Sequence, residues 1–295
     1  MLTLVERIRN AMAAGATVVA VAGGAAMLPP ETTTTDVIAV GAFNVQVFGR
    51  TKAAKNDVMD VLVDVIKGFD VVVIQEVRDS RELVADELLD RLNLAPGFHY
   101  RMVEGPRLGR SNSKEQYVIY YMPASVTLTN WYTLPDDEDL FEREPIVASF
   151  EAGTFDFTVV GVHIKPDDAE KELSALTDAA DAIRQAYPGE RDLILLGDFN
   201  ADCTYYDEDD MTKPLRAARF HWLIENDMET AVATGCTYDR IIVFDETFAR
   251  ELVPHTAGVV FYDENLGITN GALVRDVSDH YPVIAEFKTS LGDDD

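Results

Sequence analysis

The stretch Leu193-Ile194-Leu195-Leu196-Gly197-Asp198-Phe199-Asn200-Ala201-Asp202-Cys203 is an apolar run that stops abruptly at a carboxylate and an amide. Asp192 to Leu196 reads as a buried strand, since so short a run between polar and turn residues suits a strand better than a helix. Asp198-Phe199-Asn200 therefore lies at a strand end, where folds mixing strands and helices assemble their sites.

The same pattern recurs on either side. Val37 to Ala42 and Asp70 to Ile74 read as buried strands, the first followed by Asn44 and the second by Gln75-Glu76. Between them Val58, Val61, Leu62, Val65 and Ile66 fall at helical spacing. A helix is expected over Glu82 to Leu92, then strands over Tyr117 to Tyr121, Pro145 to Phe150 and Phe155 to His163, and a long helix over Asp168 to Ala186. The last third reads as a helix near Leu215 to Ile224 with strands at Arg240 to Phe244 and Pro282 to Phe287. Helices and strands mix throughout, as in sheets covered by helices. No Pro/Gly-rich linker interrupts the chain, so residues 36–291 are expected to form one domain, followed by a solvated acidic tail at 292–295.

A carboxylate at one strand end is ordinarily a helix cap or a solvated turn; three such ends are better read as a cluster. Clustered carboxylates and amides suit a hard, oxygen-seeking ion, which points to Mg²⁺ or Mn²⁺. Of the five histidines, His163 ends an expected strand and His280 stands just before another, so both can face that cluster.

Composition adds a constraint. The formal net charge is −27, from 52 Asp+Glu against 25 Lys+Arg, and only eight of the basic residues are Lys. Such a field repels a polyanion over a Debye length of ~10 Å at 0.1 M salt but only ~3 Å at 1 M. The acidity is read as adaptation to concentrated salt, where carboxylates hold water and cations while their long-range field is screened. Cys203 and Cys236 lack the paired short gaps of a zinc site, which leaves a disulfide or two buried thiols. Residues 1–35 resemble a targeting segment: Arg7 and Arg9 precede an uncharged, Ala- and Gly-rich stretch from Ala11 to Leu28. Secretion or cell-surface display is expected, with a membrane anchor or a flexible extension as the other readings.

The ordered set GAFNVQVFG, VIQEVRDS, GVHIKP, LLGDFNADC, TYDRIIV and VSDHYPV resembles the deoxyribonuclease I family within the endonuclease/exonuclease/phosphatase superfamily, over roughly Asp36 to Phe287. GDFN or SDH alone points only to the superfamily. QEVRDS, the Cys directly after GDFNAD, and Cys-Thr-Tyr-Asp-Arg are narrower. The resemblance implies an α+β fold, a four-layer α/β/β/α sandwich of two mostly antiparallel sheets. It implies an endonuclease that hydrolyses DNA and leaves 5′-phosphate ends, acting as a monomer on double-stranded DNA with no stable protein partner.

By position, the resemblance places the metal and scissile phosphate at Asn44, Glu76, Asp198, Asn200 and Asp279. It pairs His163 with Glu115 and His280 with Asp239, and a carboxylate behind an imidazole fixes its tautomer for acid–base work. We take His280 as the base and His163 as the acid. Arg78 is implied as a minor-groove contact, Arg143 as a contact near the phosphate backbone, and Cys203 with Cys236 as a structural disulfide.

Several departures stand out. Ser113 replaces a groove-reading tyrosine and Gln46 an arginine, which weakens the implied grip on the minor groove. A second disulfide is missing from the shortened segment 134–144, where Asp139 and Glu144 remain to bind a structural Ca²⁺. Met228 and Val232 stand where a second calcium loop would need oxygen ligands, so that site is expected to be absent. The competing functions are a phosphatase or phospholipid phosphodiesterase of the same superfamily and, less favoured because the motif set is intact, a catalytically silent binding protein.

Overall fold

The computed structural model describes residues 2–22 and 36–291. Its apolar runs pair into two six-stranded sheets. One contains β1 (Val37–Phe48), β2 (Val71–Val77), β3 (Arg101–Glu104), β4 (Gln116–Tyr121), β11 (Gly258–Val259) and β12 (Val283–Lys288), in the order β11-β12-β1-β2-β4-β3. The other contains β5 (Thr127–Thr133), β6 (Ile146–Ala152), β7 (Phe155–His163), β8 (Leu193–Asp198), β9 (Phe220–Trp222) and β10 (Asp239–Phe244), in the order β5-β6-β7-β8-β10-β9. Among the described residues only β1 with β2 and β7 with β8 are parallel, and the connection within each of these pairs is helical. The helices are α1 (Leu4–Ala22), α2 (Arg50–Ala53), α3 (Asn56–Ile66), α4 (Val84–Leu94), α5 (Ala169–Ala186), α6 (Asp245–Arg250), α7 (Tyr262–Asn265) and α8 (Gly271–Val277).

Strand alternation explains why the central strands are apolar along their whole length. Val40, Ala42, Val71, Val73, Ile194 and Leu196 fill the space between the sheets. The intervening residues of the first sheet, such as Val72 and Ile74, pack under α3, α4 and α8. Those of the second, such as Val160, Leu193 and Leu195, pack under α5. Three cores thus separate four layers, the α/β/β/α arrangement expected.

One expected helix does not form, and two strands run further than expected. The helix expected near Leu215 to Ile224 is instead a single 3-10 turn, Pro214–Arg216, followed by β9. Pairing Phe220–Trp222 with the open edge of β10 outweighs local helical spacing there. β1 runs on to Phe48, so Asn44 lies within it, and β2 includes Gln75 and Glu76. β3 and β5 carry too few apolar residues to stand out by alternation.

Part of the expected leader is an ordered helix here. Ile8 of α1 is completely buried, Arg9 donates to the carbonyls of Gln185 and Ala186, and Arg7 pairs with Asp137. A Cβ on Gly15 would lie 2.0 Å from the Trp131 carbonyl oxygen, so only glycine permits α1 to seat this closely on β5. Residues 23–35, the rest of the targeting reading, and the tail 292–295 lie outside the described residues. Among the described residues no helix is long and apolar enough to cross a membrane.

Candidate active site

Strand register assembles the centre of the site. His163, the last residue of β7, lies beside Asp198, the last of β8, and Asp198 lies beside Asp239, the first of β10. Neighbours in register share a face. Two residues along, that face carries Leu196 and Ile241 in the core between the sheets. The three polar residues therefore continue an apolar row to its open edge. Asn44 does the same for Val40 and Ala42 across the sandwich, and its Nδ2 donates to Asp198 Oδ2 at 3.0 Å.

Glu76 reaches the site by a different route. Plain alternation would send it toward the helices, as it sends Val72 and Ile74. A register shift between Ile74 and Val77, with φ of 61° at Glu76, turns it back. Its Oε1 accepts from Asn44 Nδ2 at 3.3 Å and its Oε2 from the Val47 amide at 2.9 Å. Asn200, at φ 46°, uses a left-handed conformation that asparagine tolerates. Its backbone amide caps Asp198 Oδ1 at 3.0 Å, and its Nδ2 donates to the Ile164 carbonyl at 2.9 Å.

Two imidazoles converge on this cluster. His163 Nδ1 lies 2.5 Å from Glu115 Oε1, and His280 Nδ1 lies 2.7 Å from Asp239 Oδ2. Their opposite nitrogens point to one carboxylate oxygen: Asp198 Oδ2 is 3.5 Å from His163 Nε2 and 3.8 Å from His280 Nε2. Asp279 lies at the rim with half its side chain exposed, its Oδ1 3.8 Å from His280 Nε2.

The surrounding charge sets the protonation. Burial alone would raise the Glu115 carboxyl, but His163, then Arg143 and Arg78, hold it at about 2. Burial raises the Asp239 carboxyl above its ordinary value against the pull of His280. Burial would lower His280, yet Asp239 and Asp198 together push it up to about 10. Both directions favour a proton shared within the His280–Asp239 pair as long as no cation offsets the surrounding carboxylates.

The donor set fits a hard divalent cation. Ligand atoms of Asp198, Asp239 and His280 lie within 4.8 Å of one another, and Asp239 Oδ1 is buried without a hydrogen-bond partner. Glu76 joins them through Asn44. Oxygen ligands dominate, as such ions require. A second group, Asp202 with Cys203 and Cys236, does not qualify, because both sulfurs are spent in a Cys203–Cys236 disulfide with Cα atoms 6.0 Å apart.

Other expected residues sit differently. The Arg143 side chain is 12% exposed; its Nε is committed to the His163 carbonyl at 2.9 Å and Glu115 Oε1 at 3.1 Å, while Nη2 is buried without a hydrogen-bond partner. Arg78 lies nearer the mouth, bridging Glu76 and Glu115 and touching Ser113 Oγ at 3.3 Å. Asp139 faces a cation already supplied by the chain. Arg110 Nε contacts both its carboxylate oxygens at 3.0 and 3.1 Å, Nη2 bonds the carbonyls of Asp139 and Phe141, and Nη1 reaches Glu142. Arg110 thus neutralises Asp139 and Glu142 in this segment.

Three supporting residues were not visible in sequence. The Tyr117 hydroxyl accepts from the His163 amide at 2.7 Å, Ser278 Oγ donates to the Asn44 carbonyl at 2.6 Å, and Thr230 Oγ1 accepts from the Asp239 amide at 3.0 Å. Ser278 at least adjoins a recognisable Asp-His pair; Thr230 stands in no motif.

Comparison with known proteins agrees with this geometry. The model of the Endonuclease/Exonuclease/phosphatase family matches residues 41–280. The chain is 34% identical over 257 residues to deoxyribonuclease-1 of Bos taurus, covering 83% of this chain and 90% of that protein. It is 37% identical over 257 residues to deoxyribonuclease-1-like 1 of Homo sapiens, covering 84% of each. Among solved structures, D. rerio TDP2 complexed with a single-strand DNA product superposes with a TM-score of 0.62 at 15% identity, over 86% of this chain and all of that one. At that identity the likeness concerns the fold alone. The chain belongs to the endonuclease/exonuclease/phosphatase family, on the side of it occupied by the deoxyribonuclease-1 proteins.

Proposed function

We propose that this protein is a metal-dependent endonuclease that hydrolyses DNA phosphodiester bonds by water attack and leaves 5′-phosphate ends. The observation that carries the reading is the convergence of two histidine–carboxylate pairs on one face of Asp198. Hydrolysis of a phosphodiester needs one group to take a proton from water and another to give one to the leaving oxygen. Glu115 and Asp239 each hold an Nδ1, so Nε2 is the nitrogen left to exchange protons on both rings. We assign His280 as base and His163 as acid.

Asn44, Glu76, Asp198 and Asp279, with Asp239 adjoining, would hold Mg²⁺ or Mn²⁺, which when bound supplies positive charge to the phosphoryl oxygens and offsets the carboxylates that keep His280 protonated. Arg143 fixes Glu115 and the His163 backbone from behind, while Arg78 at the mouth is the contact offered to duplex DNA. Asn200 braces Asp198.

The charge of −27 supports working in concentrated salt, where repulsion between this surface and DNA is screened. The disulfide supports an oxidising, extracellular location. A monomer acting on double-stranded DNA completes the proposal.

The test is nicking of supercoiled plasmid with Mg²⁺ from dilute buffer to molar salt, comparing the unaltered chain with His163→Ala and His280→Ala. Each substitution is expected to lower the rate by about 10²–10⁴-fold. Absence of nicking by the folded, unaltered chain at every salt concentration, with turnover of sphingomyelin or inositol phosphates, would move the assignment to a phospholipid diesterase or phosphatase.

A further inference from the structure

Lys52 has no role in the chemistry just described, yet its ammonium ties two arms of the site together. It lies in α2, beyond the end of β1. Nζ donates to the carbonyls of Val45 at 2.7 Å, Gln46 at 2.5 Å and Val277 at 2.8 Å. A lysine ammonium has three N–H donors, and all three are used. Two of the acceptors belong to the segment that carries Asn44; the third is the last residue of α8, directly before Ser278, Asp279 and His280.

That segment needs holding. Gln46 at φ 39° and Val47 at φ 51° are consecutive residues in the left-handed region, which costs roughly 1–2 kcal/mol for each residue with a side chain and suits a β-branched valine least. The conformation serves the site: it aims the Val47 amide at Glu76 Oε2 and the Gln46 amide at Asn44 Oδ1. Ser278 Oγ, bonded to the Asn44 carbonyl, makes a second tie across the same junction.

We infer that Lys52 is a positioning residue that clamps the Asn44–Val47 turn to the arm bearing Asp279 and His280, so that the first sheet's ligands meet Asp198 and Asp239 as one preformed set. The inference rests on the cation-holding reading of the site. A ligand set held in place before binding loses less freedom on binding, so its looseness should appear as weaker metal affinity.

The experiment compares the full chain with Lys52→Met, which keeps the length and apolar stem of the side chain but removes its three donors. Three quantities are read at a temperature where both proteins are fully folded: Mn²⁺ affinity by calorimetry, hydrogen exchange of the Gln46 and Val47 amides, and kcat and KM for plasmid nicking. Lys52→Met is expected to bind Mn²⁺ about tenfold more weakly, to exchange both amides faster, and to lose kcat with little change in KM. A folded Lys52→Met protein with unchanged Mn²⁺ affinity and exchange, differing only in Tm, overturns the inference and makes Lys52 a purely structural tie. Should Met prevent folding, Lys52→Gln takes its place: Mn²⁺ affinity below that of the unaltered chain, with faster exchange of the Gln46 and Val47 amides, supports the clamp, and unaltered affinity and exchange overturn it. If the unaltered chain binds no Mn²⁺, the cation reading fails, and the amide exchange still decides whether Lys52 holds the turn.

Discussion

Replacing Glu115 by glutamine tests whether this carboxylate is the charged hub behind His163. Its oxygens lie 2.5 Å from His163 Nδ1, 3.1 Å from Arg143 Nε and 3.0 Å from Arg78 Nη2, with its side chain 5% exposed. It titrates at about 2 where an ordinary glutamate titrates at 4.5. At ~1.36 kcal/mol per unit, that gap corresponds to about 3 kcal/mol of stability. Because the folded value is depressed, the contribution is complete above pH 4.5 and is lost as the pH falls toward 2, with more than half gone by about pH 3. Glu115→Gln should therefore be about 3 kcal/mol less stable than the unaltered chain in urea unfolding at pH 7, and the difference should shrink steadily below pH 4.5. Nicking should fall by about 10²–10⁴-fold, since His163 loses the carboxylate that orients its ring and fixes its tautomer. Equal stability at pH 7, or a difference that persists unchanged to pH 3, would refute the charged-hub argument. Full nicking activity would remove His163 from the proton-transfer role.

Reduction of the Cys203–Cys236 bond, or Cys203→Ser with Cys236→Ser, should cost about 3–4 kcal/mol on the chain-entropy estimate for a 33-residue separation, seen as a lower urea midpoint. Arg110→Ala should lower Tm by roughly 2–4 °C, with added Ca²⁺ restoring part of the loss by occupying the vacated oxygens of Asp139, Phe141 and Glu142. A variant unaffected in Tm would show that Arg110 holds nothing together. Gly197→Ala should cost about 1–3 kcal/mol and displace Asp198, because Gly197 has φ 136° and a Cβ there would lie 2.1 Å from the Val162 carbonyl oxygen. Retention of both stability and Mn²⁺ affinity would show that β8 can move away from β7 without harm.

Much of the fold was legible because buried strands and helix faces write their periods directly into the chain. Val37 to Ala42 and Leu193 to Leu196 are apolar on both faces, and α3 repeats its apolar residues at helical spacing. The motif residues were legible for a related reason: a carboxylate, amide or imidazole at the end of such a strand interrupts the pattern. The 215–224 segment misled because its apolar residues suit a helix locally, while the open edge of β10 offered backbone pairing that no local window can show. Tyr117, Ser278, Thr230 and Lys52 were missed since each acts on a backbone atom, and the position of a backbone atom leaves no mark on residue type.

Read alone, the chain shows most of the elements that form, the residue types that stand at their ends, and the family to which their order belongs. Those properties depend on local periodicity and on the identity of side chains. Tertiary packing alone puts His163, Asp198 and Asp239 in one row, turns Glu76 inward through a bulge, and sets Arg143 against Glu115 and Arg110 against Asp139. Register, bulges and ion pairing join residues far apart in the chain, and their geometry is set by the packing of two sheets whose contact no single stretch of sequence contains.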